Sequence, residues 1–107
     1  MVKIYNKLVR DKIPEIIEND GEKPKIRILD NEEYKKELKK KLVEEVQEVV
    51  LTGNNNDLLK EIGDILVEIE AMEKAYDLNK NQILKTKEER KQERGGFEKK
   101  IFLEETG

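Results

Sequence analysis

Glu44-Glu45-Val46-Gln47-Glu48, followed after twelve residues by Glu61-Ile62-Gly63-Asp64, is the stretch around which the chain is organised. The apolar residues about it recur at helical spacing. At about 100° per residue, Leu38, Leu42, Val43, Val46, Val49 and Val50 fall on one stripe, and Leu58, Leu59, Ile62, Ile65, Leu66, Ile69 and Met72 on a second. Residues three apart on a helix share a face, which pairs Glu45 with Glu48 and Glu61 with Asp64 on the flank of each stripe. The linker Gly53-Asn54-Asn55-Asn56 is short enough to make the two helices antiparallel neighbours. The two carboxylate pairs then meet in an all-oxygen pocket suited to Mg²⁺.

A Glu-rich helix in a chain that is 44% charged is ordinarily a solvated face with Lys four residues after Glu. That pattern holds for Glu32 with Lys36 and Glu37 with Lys41. It fails at the four acids above, which are followed four residues later by Val49, Thr52, Ile65 and Glu68. Asp57, Glu61, Asp64 and Glu68 crowd one flank with only Lys60 to offset Asp64. Each like-charge neighbour costs about 0.2–0.5 kcal/mol, so the cluster calls for a counterion. Gly63 costs about 1 kcal/mol against alanine inside a helix and points to a close helix approach.

The acidic spacing E-E-x-x-E, twelve residues, E-x-x-D resembles the signature of the all-α nucleoside triphosphate pyrophosphatases of the MazG-like superfamily. The opening Tyr5-Asn6-Lys7-Leu8-Val9-Arg10-Asp11-Lys12-Ile13-Pro14 and the closing Glu93-Arg94-Gly95-Gly96-Phe97-Glu98 are similar to its small, single-domain house-cleaning branch. The resemblance spans nearly the whole chain. It implies an antiparallel helix bundle and hydrolysis of a nucleoside triphosphate between the α and β phosphates, giving a monophosphate and pyrophosphate. It further implies the clearing of noncanonical nucleotides and a homodimer or dimer of dimers.

Composition narrows the chemistry. With 107 residues the chain is expected to be one domain, 1–107, near the lower size limit for a self-sufficient core. Only 36% of its residues are hydrophobic, so two amphipathic helices are expected to complete their burial against another subunit. The absence of cysteine removes thiolate chemistry, and the absence of histidine removes the commonest general base. Carboxylates, Lys, Arg, Tyr or a metal must do the work. No apolar run has membrane-spanning length and no signal-peptide core opens the chain, so a cytoplasmic protein without a membrane partner is expected. A net charge of −3 with interspersed signs argues against duplex nucleic acid as a partner but suits a small phosphorylated ligand.

Taken in order, Val2, Ile4, Leu8 and Val9 predict an amino-terminal segment docked on the body, and Pro14 opens a short helix ending near Glu18 or Asn19. Ile26-Arg27-Ile28-Leu29 alternates like a strand, and its expected partner is Lys100-Ile101-Phe102-Leu103, a minor two-stranded pairing of 26–29 with 100–103 in an otherwise all-α fold. Asp30 and Glu33 read as a capping box, placing the first long helix over 31–51. With Asn56 as cap, the second runs over 57–76, and a third basic helix spans 79–94 up to Gly95-Gly96.

The expected assignment follows. Glu45, Glu48, Glu61 and Asp64 are the metal ligands, for Mg²⁺ with Mn²⁺ as substitute, and Glu48, then Glu44, is the candidate base for the attacking water. The resemblance alone assigns Lys7, Arg10, Lys91 and Arg94 to the substrate phosphates. Two alternatives stand beside this reading: a phosphoribosyl-ATP pyrophosphohydrolase, and a non-enzymatic helical dimerisation or adaptor module whose acids serve solubility.

Overall fold

The computed structural model describes residues 1–107, with four helices and no strand: α1 (Ile13–Asn19), α2 (Asn31–Leu51), α3 (Asn55–Ala75) and α4 (Lys80–Arg94). The last three start at side chains that take over orphaned backbone N–H groups. Asp30 Oδ1 accepts from the Glu33 N–H at 2.8 Å. The Glu33 carboxylate does not complete the capping box, because it is taken by the Arg27 guanidinium, with Nη1 3.0 Å from Oε1. Asn54, not Asn56, caps α3. Its Oδ1 accepts from the Asp57 N–H at 2.8 Å while its Nδ2 donates to the Asp57 carboxylate at 2.9 Å, a reciprocal arrangement that the extended backbone of Asn54 permits. Asn79 Oδ1 accepts from the N–H groups of Asn81 and Gln82.

By their internal contacts the residues form two units, Met1–Asp77 and Leu78–Gly107. In the first, α2 and α3 pack as an antiparallel hairpin. Tyr76, just past the end of α3, donates its hydroxyl hydrogen to the Lys35 carbonyl near the start of α2 at 3.2 Å. The same ring lies under Lys35 and Lys39, whose ammonium groups are 5.4 and 5.0 Å from its centroid.

The seam between the two helices differs from the expected apolar contact. Leu38 is its fully buried hydrophobic residue, at 3% exposure, while Glu45 and Glu68 are each only 9% exposed. Lys41, Leu42 and Val49 of α2 and Leu58, Glu61, Asp64, Ile65, Ile69 and Met72 of α3 are half-buried. Val43, Val46 and Val50 of α2 and Leu59, Ile62 and Leu66 of α3 are instead exposed, each set at spacing i, i+3, i+7. The predicted stripes are therefore split: part of each lines the seam with the acids, and part faces outward. Gly63 is exposed, and nothing lies within 4 Å of where its Cβ would be. The close approach that it suggested does not occur within this chain.

The amino-terminal segment is held by Leu8 and Val9, half-buried, and by two ion pairs described below; Val2 and Ile4 remain exposed. It bends at Asn6, which has φ 46°, a conformation that asparagine tolerates better than most residues. Residues 26–29 form no strand, and neither do 100–103. The expected pairing is corrected on simple grounds: a strand is stable only when a neighbour satisfies its backbone edge. Ile26 and Ile28 lie exposed, and the segment is tied down through the Arg27 side chain instead.

In the second unit, α4 ends at Gly95, whose φ of 82° suits glycine and whose N–H donates to the Lys91 carbonyl at 2.7 Å. Lys91 and Arg94 occupy the last turn, where a positive charge is favoured by the helix dipole. Phe97, Ile101, Phe102 and Leu103 are exposed.

Candidate functional site

Three of the predicted acids converge. Glu45 from α2 and Glu61 and Asp64 from α3 each offer a carboxylate oxygen within 4.8 Å of the other two. The α2–α3 register places them there, since Glu45 falls on the seam side of α2 while Glu61 and Asp64 lie one turn apart on the facing side of α3. Glu48 lies outside this group. Its exposed side chain shares a cleft of about 180 Å³ with Leu51, Thr52, Asp57, Lys60 and Glu61.

Three cations border the acids. Arg10 Nη1 donates to Asp64 Oδ1 at 2.9 Å, and Lys7 Nζ donates to Glu44 Oε1 at 3.0 Å, so the amino-terminal arm crosses to both helices. Lys41, largely buried, lies 3.4 Å from Glu44 Oε1 and 3.7 Å from Glu45 Oε1. It is free to do so because the surface pairs on α2 form at spacing i, i+3, as Glu32 with Lys35 and Glu37 with Lys40, rather than at the expected i, i+4. A helical lysine reaches either neighbour at similar cost, and the buried acids decide the choice for Lys41.

Electrostatics sort the carboxyls. The Lys7 hydrogen bond holds Glu44 below the usual range against the opposing effect of its partial burial. Burial, then the neighbouring Glu61, pushes Glu45 up, with Lys41 pulling the other way. Burial above all, then the charge of Glu45, pushes Glu68 up to about 7, with Asp64 and Glu44 adding to the effect and Lys41 opposing it. Glu68 was seen in the sequence only as one of four crowded acids. Its signal was the i, i+4 relation to Asp64, which carries no information on burial.

The donor set fits a hard divalent cation. It is all oxygen, and two buried carboxylate atoms, Glu61 Oε2 and Glu68 Oε2, have no hydrogen-bond partner. Around the seam, the carboxyl groups of Glu44, Glu45, Glu61, Asp64 and Glu68 outnumber the cations Lys7, Arg10 and Lys41. Lys91 and Arg94 belong to the second unit, and no ion pair holds either of them. No helix is long and apolar enough to cross a membrane. Compared with protein-family models, curated proteins and solved structures, the chain matches none, and a functional reading stands on its residues and their geometry.

Proposed function

We propose that the protein is a Mg²⁺-dependent nucleoside triphosphate pyrophosphohydrolase, cleaving between the α and β phosphates to release a monophosphate and pyrophosphate. The observation that carries the reading is the meeting of Glu45, Glu61 and Asp64 from two helices within 4.8 Å of one another, beside a cationic arm. The MazG-like spacing of the acids and the two terminal segments support the same reaction. Glu45, Glu61 and Asp64 would hold the ion, with Glu48 at the margin. When bound, Mg²⁺ supplies charge neutralisation at phosphoryl oxygens and Lewis acidity.

The chain's own groups have separable tasks. Glu44, ion-paired to Lys7, is a poor proton acceptor while that pair persists. Glu48, exposed in the cleft beside Glu61, is the better candidate to orient or deprotonate the attacking water. Arg10 and Lys7 would exchange Asp64 and Glu44 for the outer phosphates, the guanidinium offering a fork and the ammonium a point charge. The roles of Lys91 and Arg94 at the phosphates rest on the family resemblance.

The outward stripes of Val43, Val46, Val50 and of Leu59, Ile62, Leu66 favour a homodimer in which two α2–α3 hairpins cover one another. The same stripes would serve a non-enzymatic dimerisation module. Incubation with Mg²⁺ and a panel of ordinary and damaged nucleoside triphosphates, with phosphoribosyl-ATP included, distinguishes the readings through the products. Monophosphate and pyrophosphate, abolished by Glu61→Gln and Asp64→Asn, are expected. Orthophosphate release refutes the reaction, preference for phosphoribosyl-ATP reassigns the substrate, and no turnover of any compound leaves the module reading.

A further inference from the structure

We propose that Glu68 is a fourth member of the cation site, an outer-sphere ligand that accepts a hydrogen bond from the hydration shell of the divalent ion held by Glu45, Glu61 and Asp64. The inference rests on the metal reading above and extends it to a residue that the acidic signature does not contain. Glu61, Asp64 and Glu68 follow one another at i, i+3 and i+7, so α3 places all three on the flank turned toward α2. Glu68 is nine-tenths buried in that seam, and its Oε2 has no hydrogen-bond donor.

Nothing in the packing of the hairpin explains a bare carboxylate there. The neighbouring seam positions Ile65, Ile69 and Met72 are apolar, and a leucine at 68 would fill the space without desolvating a charge. The local cation does not answer it either. Lys41 is within ion-pair distance of Glu44 and Glu45, and Glu68 forms no ion pair with any residue. The negative charges of Glu45, Asp64 and Glu44 bear on it instead, which sets it beside the cluster.

Glu68 falls outside the group whose oxygens lie within 4.8 Å of one another, so it is not a fourth direct ligand of the same ion. Mg²⁺ gives up its water reluctantly and keeps several molecules when bound by a few carboxylates. The outward hydrogens of that shell would be donors, and the buried, unpartnered Glu68 oxygen is an acceptor on the flank of α3 that also carries Glu61 and Asp64. Outer-shell acceptors of this kind govern metal affinity by about 10–100-fold.

The test is calorimetric titration of Mg²⁺, without nucleotide, into the full-length wild type and the Glu68→Gln, Glu68→Asp and Glu70→Gln variants, with helicity followed by circular dichroism. Glu70 is on the exposed side of the same turn. Glu68→Gln is expected to weaken binding 10–100-fold with helicity intact, Glu68→Asp to recover part of the loss, and Glu70→Gln to match the wild type. Affinity of Glu68→Gln within twofold of the wild type overturns the role of Glu68 and leaves the triad standing. An equal loss in Glu70→Gln also overturns it, as a general charge effect. No binding by the wild type sinks the metal reading itself.

Discussion

Neutralising Glu68 should stabilise the metal-free protein, an uncommon outcome for a buried substitution. The folded state holds its carboxyl at about 7 against an ordinary value of 4.5. At about 1.4 kcal/mol per pH unit, the folded form loses on the order of 3 kcal/mol as this group ionises. The sign follows from proton uptake. Between pH 4.5 and 7 the folded protein keeps a proton that the unfolded chain releases, so this contribution is greatest in acid and is lost as pH rises through about 7. Burial sets most of it, Glu45, Asp64 and Glu44 add to it by repelling the charge, and Lys41 opposes it by attraction. Glu44 acts oppositely: its depressed value adds stability above pH 4.5 that disappears as pH falls. Glu68→Gln removes the ionisation but leaves an amide short of partners, at about 1 kcal/mol, for a net gain of about 2 kcal/mol at pH 8. For a chain of this size that is a rise of roughly 10 °C in Tm. Thermal denaturation in EDTA at pH 5 to 8 measures it. The wild type should lose more stability across the interval than the variant, which keeps the raised Glu45 carboxyl but no longer that of Glu68. A variant melting at or below the wild type at pH 8 would refute the electrostatic reasoning.

The other consequences concern the arm, the outward faces and a cap. Arg10→Gln, which removes the partner of Asp64, should tighten Mg²⁺ binding severalfold in the absence of nucleotide while weakening triphosphate binding, both read by calorimetry. Unchanged Mg²⁺ affinity would mean that arm and ion do not compete. Ile62→Lys places a charge in the exposed stripe of α3 and, if the proposed homodimer forms through it, should halve the mass found by light scattering without reducing helicity within the hairpin, whereas an unaltered mass removes that stripe from the proposed contact. Asn54→Ala deletes both hydrogen bonds of the α3 cap and should cost about 1 kcal/mol in urea denaturation, and Asn56→Ala should cost far less.

The helices were legible in the sequence because their limits are set locally. Asp30 caps α2 where expected, α4 begins one residue after the expected Asn79, which caps it instead, and Gly95 stops α4 where a residue with a side chain would be strained. The cap of α3 was misread by two residues, since three consecutive asparagines offer equivalent side chains and only the extended backbone of Asn54 selects one. The pairing of 26–29 with 100–103 was expected from alternation alone, and alternation does not supply the hydrogen-bonding edge that a strand needs.

Helical phase by itself determined that Glu45, Glu61 and Asp64 occupy related flanks, and chain connectivity brought those flanks together. Only tertiary structure decided which flank faces inward. It turned part of each apolar stripe outward, buried Glu45 and Glu68, left Glu48 in an open cleft, and drew Lys41, Lys7 and Arg10 to the acids. The physical reason is that periodicity defines angles about one helix axis, while the rotation of that axis against its neighbour is fixed by long-range packing and ion pairs that no single helix contains.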